Sequence, residues 1–136
     1  MAEIVSVMAL AHAPGVTGWL ESAPVEEQVA IKAGYEEMGE LLRETKPDVL
    51  VGVANDHMLN LPLKNPPDFS VGNAAHWEGP AEFFKPWLAQ EGYEVAGRPD
   101  VANCLTQAGE AAGLKLNSRE DLLFDDNWSV PLFYLT

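Results

Sequence analysis

Apolar residues gather early in the chain into two runs with the same layout. Ile4-Val5-Ser6-Val7-Met8-Ala9-Leu10-Ala11 leads into His12-Ala13-Pro14-Gly15, and Asp48-Val49-Leu50-Val51-Gly52-Val53-Ala54 leads into Asn55-Asp56-His57. Short apolar runs rich in Val and Ile, closed by Pro, Gly, Asn and Asp, predict two strands. Between them Ser22-Ala23-Pro24 opens a helix, with Pro24 at an early helical position and Glu26 and Glu27 near the positive end of the dipole. Ile31, Tyr35, Met38 and Leu42 recur at helical spacing and predict a face turned to a sheet. Gly34 and Gly39 weaken this helix slightly while allowing close packing, and Lys46-Pro47 ends it. Such a strand-helix-strand unit has parallel strands and a right-handed crossover.

The pattern then loosens. Pro62, Pro66 and Pro67 exclude regular structure from residues 59–67. Phe69-Ser70-Val71-Gly72 predicts a short strand, and Gly79-Pro80 a helix running through Phe83, Phe84, Trp87 and Leu88. Pro99 opens another helix carrying Val101, Leu105 and Ala108 and ending at Gly113, followed by a brief extended segment at Leu114-Lys115-Leu116. Residues 129–136 are largely apolar, so they are expected to pack against a later part of a longer chain or against another chain in an oligomer. The fold class expected is α/β: a mostly parallel sheet flanked by helices, a single domain over residues 1–136, as a partial version of a larger α/β domain.

Composition narrows the function classes. At 136 residues and 47% hydrophobic content the chain can bury one core. Eight basic against 21 acidic residues give a formal net charge of -13. That balance argues against a nucleic-acid partner, which needs a basic face to displace phosphate counterions, and against an anionic membrane surface. The acidic residues, spread mainly over 21–44 and 119–126, predict solvated faces. Cys104 is the single cysteine, so no intrachain disulfide forms, and flanking Leu105 and Ala108 predict a buried thiol. With no basic start ahead of an apolar stretch and no run long enough to span a bilayer, a cytoplasmic location is expected.

The candidate chemistry sits at the ends of the two predicted strands. In an open parallel sheet, residues just past the strands' carboxyl ends converge on one crevice where ligands bind. His12 and His57 therefore form either a metal half-site awaiting a carboxylate or two unrelated surface histidines. Glu78, Asp125 and Asp126 are the carboxylates able to complete such a site, with Asp126 ranked first, and a solvated acidic loop is the competing reading of that segment. Asp56 either orients an imidazole or caps a turn. His76 lies near a pocket mouth or on an exposed loop. Trp19, Trp77, Trp87 and Trp128 line an aromatic pocket or serve packing.

Four stretches in order carry a family resemblance: Ala11-His12-Ala13-Pro14-Gly15, Asn55-Asp56-His57, Phe69-Ser70-Val71-Gly72 with Glu78-Gly79-Pro80, and Asp125-Asp126-Asn127-Trp128-Ser129-Val130-Pro131-Leu132. Together they resemble the class III extradiol ring-cleavage dioxygenases of the protocatechuate 4,5-dioxygenase catalytic-subunit type, over the amino-terminal half of a usual member. The resemblance implies a non-haem Fe(II) held by two histidines and a glutamate, with a catecholic acid and O2 as reactants. His12 and His57 match the two imidazole ligands. The family's glutamate ligand and acid-base histidine have no match here and are expected beyond Thr136. No catalytic residue is therefore assigned within the chain, and the chain alone is expected to be inactive. Asp126 stands where the family has a pocket histidine and is one substrate-side candidate; His76, if near the pocket mouth, is the other. Two other functions remain open: a non-catalytic interaction protein on the same scaffold, and a metal-dependent hydrolase using a bound water.

Overall fold

The predicted long helix forms almost residue for residue. In the computed structural model, which describes residues 2–135, Pro24 immediately precedes a helix over Val25–Thr45, here α2, since a short helical turn α1 at Gly15–Gly18 comes before it. Lys46 takes the left-handed conformation at φ 43° and donates its backbone N–H to the Leu42 carbonyl, so the helix stops before Pro47. Its apolar face is the expected one, with Tyr35 and Gly39 buried and Ile31, Met38 and Leu42 half-buried. What covers that face is a helix rather than a sheet. The carboxyl-terminal helix α5, Asp126–Leu135, lies against it. The rings of Tyr35 and Tyr134 stack at 4.2 Å, and Gly39 brings the helix backbone close to the Tyr134 carbonyl. Gly34 has open space around it and serves no close approach.

Among the described residues, four short strands form two separate pairs. β1 (Phe69–Gly72) runs parallel to β4 (Leu116–Arg119), with Phe69 opposite Leu116. Parallel partners need a crossover, and α4 (Pro99–Ala111) lies on the connecting chain and packs on both strands. β2 (His76–Gly79) pairs antiparallel with β3 (Tyr93–Ala96), with His76 opposite Ala96. The chain between them forms a 3-10 turn at Glu82–Phe84 and the short helix α3, Lys85–Leu88. The fold class is α/β as expected, although in place of one sheet there are two, one a parallel pair and one an antiparallel pair.

Several expectations need correction. Residues 4–11 and 48–54 join no ladder among the described residues. Apolar periodicity signals an extended, partly buried segment, but a strand also requires a neighbour to share its backbone hydrogen bonds, and sequence pattern does not report one. The helix expected from Gly79-Pro80 starts later, at Glu82, because Gly79 closes β2. On α4 the inner face is Ala102, Thr106 and Gly109, not Leu105 and Ala108. Gly109 decides this, since a Cβ there would meet Leu116 Cδ1 of β4 at 2.5 Å. Cys104 consequently points outward and is exposed. The apolar carboxyl-terminal segment buries Val130 completely against its own chain, with Phe133 left exposed. Thr136 lies outside the described residues.

The core gathers Val16, Tyr35, Leu88 and Val130, with Leu10, Ile31, Phe84 and Tyr134 packed against it. It therefore sits beneath the residues leading into His12. No described helix is long and apolar enough to cross a membrane.

Candidate metal centre

Each histidine is delivered by a segment without regular secondary structure that is tied down just before it. Leu10 reaches the core, and the Ala11 carbonyl accepts a short hydrogen bond from the Tyr35 hydroxyl, which fixes the backbone entering His12. On the other segment Gly52 lies so near α5 that a Cβ there would fall 2.5 Å from Cη2 of the Trp128 ring. Three residues later the Asn55 carbonyl accepts a short hydrogen bond from the Asn127 side-chain amide. The loop after it is shaped by Asp56, whose carboxylate accepts the backbone N–H groups of Leu59 at 3.1 Å, Asn60 at 2.8 Å and Leu61 at 3.1 Å. Burial opposes ionisation of this carboxyl, yet the backbone donors outweigh it and hold its pKa below the ordinary carboxylate value. Asp56 is thus the turn cap of the two roles open to it.

His12 and His57 come together. Their ring centroids are 5.4 Å apart with the planes tilted by 41°. His57 Nδ1 lies 2.9 Å from Asp126 Oδ1, within hydrogen-bonding distance, and 3.2 Å from Asp125 Oδ2. Both aspartates are buried, Asp125 to 1% exposure and Asp126 to 6%. The segment expected as a solvated acidic loop is therefore an interior one. The reason is aromatic: Phe124 stacks between Trp77 at 5.5 Å and Trp128 at 5.6 Å, and this column carries the intervening carboxylates inward.

The electrostatics follow from that burial. Asp125 is pushed above its ordinary pKa, first by desolvation and then by the neighbouring charge of Asp126, against the hydrogen bond it accepts from the Asn127 backbone. Desolvation acts against the charged form of His57 as well. The hydrogen bond to Asp126 and the charges of both aspartates overcome it and raise the imidazole above its usual value. Asp125 Oδ2 is buried and, among the described residues, has its 3.2 Å approach to His57 Nδ1 as its polar contact. Ligand atoms of His57, Asp125 and Asp126 all lie within 4.8 Å of one another, a set able to hold a metal ion.

Residues 6–136 match the family described as the catalytic LigB subunit of aromatic ring-opening dioxygenase. The chain belongs to the LigB family. No curated protein matches it.

LigB dioxygenases are metal-dependent and act on an aromatic substrate with O2. His57 touches two buried carboxylates, and the His12 ring lies 5.4 Å from the His57 ring outside that three-residue cluster, so nitrogen and oxygen donors of the type such a metal takes are present. The donor set fits. Other sequence candidates in this LigB chain lie elsewhere. His76 and Glu78 sit exposed on β2 and take no part in the cluster. Trp19 and Trp87 are exposed, while Trp77 and Trp128 pack on Phe124. Two surface hollows, one along Glu37 to Glu44 of α2 and one among Phe83, Phe84 and Trp87, include neither histidine. Sequence reasoning overlooked Asn127 and the prop at Tyr35. The aromatics flanking Asp125-Asp126-Asn127 on both sides were the available signal for Asn127.

Proposed function

We propose that this LigB-family chain is an extradiol polypeptide of the protocatechuate 4,5-dioxygenase type, which holds Fe(II) through His12 and His57 and takes a catecholic acid with O2. The observation that carries this reading is the meeting of the two imidazoles, 5.4 Å apart, from segments 45 residues apart in sequence. When bound, a ferrous ion would supply adjacent positions for catechol oxygens and dioxygen and would acidify the phenol.

The chain's own residues do the holding. Tyr35 fixes the backbone before His12, and Asn127 with the Trp128 ring fixes the backbone before His57. The Trp77-Phe124-Trp128 column keeps water from the inner side of Asp125 and Asp126. No residue of the chain matches the family's glutamate ligand or its acid-base histidine. The chain alone is therefore expected to retain iron without turning over a catechol, and a cytoplasmic site of action suits a ferrous centre.

Anaerobic Fe(II) titration of the wild type, His12→Ala and His57→Ala tests the assignment. One ferrous ion per chain is expected for the wild type, with binding lost in both variants. Undiminished binding in His12→Ala would overturn the two-histidine reading.

A further inference from the structure

We infer that Asp126, backed by Asp125, is the positioning residue that sets the tautomer of His57, placing the proton on Nδ1 so that Nε2 is the nitrogen offered to the metal. This rests on the two-histidine reading above and adds a role for the position at which this chain carries an aspartate.

The geometry gives the reason. A neutral imidazole carries one N–H and one lone pair, and which nitrogen holds which is decided by the neighbours. His57 Nδ1 faces two carboxylate oxygens, Asp126 Oδ1 at 2.9 Å and Asp125 Oδ2 at 3.2 Å. A lone pair there would point at two negative oxygens, whereas an N–H satisfies one directly and is attracted by the other. Both carboxylates are nearly excluded from water, so solvent does not relieve the alternative. Only Nε2 is then left with a lone pair. Asp126 is itself held in place as the first residue of the ten-residue α5. A carboxylate on the remote nitrogen of a metal-binding histidine also fixes the ring's rotation and raises its basicity.

The same atoms allow a rival arrangement, in which a metal sits directly among His57 Nδ1, Asp125 and Asp126. It requires the Nδ1 lone pair to face the ion and leaves His12 without a part. The two arrangements therefore make opposite statements about His12 and about the proton on His57.

The experiment pairs metal binding with a direct view of the ring. Long-range proton-nitrogen NMR of the metal-free protein, at a pH where His57 is neutral, reads its tautomer. Co(II) titration followed by visible absorption reads affinity and coordination. In the wild type we expect an Nδ1–H ring. In Asp126→Ala we expect redistribution toward the Nε2–H form, with Co(II) affinity weakened about 10- to 100-fold. Asp126→Asn keeps an acceptor oxygen in a nearly unchanged volume, so it should retain the Nδ1–H ring and recover part of the affinity. It also serves as the folded comparison should the alanine variant unfold. A wild-type ring protonated on Nε2, or an Asp126→Asn variant that loses Co(II) altogether while His12→Ala binds normally, overturns the inference in favour of direct ligation. A wild type that binds neither Fe(II) nor Co(II) yet shows the Nδ1–H ring defeats the metal-site reading while leaving the tautomer assignment standing.

Discussion

Gly52→Ala tests whether α5 holds the His57 segment in place. Gly52 lies in a stretch without ladder hydrogen bonds, and its φ is not in the left-handed region, so the backbone itself accepts alanine. The obstacle is Trp128: the new Cβ would lie 2.5 Å from Cη2 and closer still to Cζ3, whereas ordinary contact begins at 3.4 Å. The ring or the Gly52 backbone must therefore retreat by about 1 Å, and the ring is stacked on Phe124. Overpacking of this kind costs about 1–3 kcal/mol. Reduced freedom of the unfolded chain offsets about 0.4–1 kcal/mol of that. A net loss of about 1–2 kcal/mol is expected from urea denaturation at unchanged m-value. Gly34→Ala is the control: nothing lies within 4 Å of its Cβ position, and in mid-helix the change should stabilise by about 0.5–1 kcal/mol. The His57 ring resonances should also move in Gly52→Ala and stay put in Gly34→Ala. If Gly52→Ala matches the wild type in stability and in its His57 resonances while the control behaves, Trp128 does not anchor this segment.

Leu88 is fully buried in the core against Val16, Tyr35 and Val130, so Leu88→Ala should cost about 2–5 kcal/mol in the same assay; a loss below 1 kcal/mol would show that this core is not formed as described. In the metal-free protein, His57 should titrate above the ordinary 6.5, as read by NMR of its ring protons, and Asp126→Asn should bring it down. Because the folded pKa is the raised one, the stability this group contributes is fully present below pH 6.5 and is lost as pH rises through the folded value. A wild-type value at or below 6.5 would contradict the paired geometry.

Much of the arrangement was legible in the residues. Pro24 and Lys46-Pro47 bracketed α2 because helix ends are set locally, by a ring that fixes φ and by a left-handed stop. Pro99 and Gly113 bracketed α4 in the same way, with the chain turning at Gly113 with φ 87°. The histidines could be paired because both end apolar runs, and they do meet. What sequence pattern could not supply was the partner of each surface. The face of Tyr35 meets α5 instead of a sheet, and the inner side of α4 is chosen by the absence of a Cβ at Gly109. The interior position of Asp125 and Asp126 was concealed for a related reason. Two adjacent acids read as solvated until the aromatic column on either side of them is assembled from distant Trp77.

The apolar segments before the two histidines carry a cost in colloidal behaviour. Ile4, Val7 and Val53 are each more than four-fifths exposed, so these stretches offer apolar surface for association between molecules. Mutual repulsion from a net charge of -13 holds such molecules apart in dilute buffer. Added salt shortens the reach of that repulsion to about 8 Å at physiological ionic strength while leaving the apolar attraction intact. Salting the solution should therefore favour self-association through these stretches.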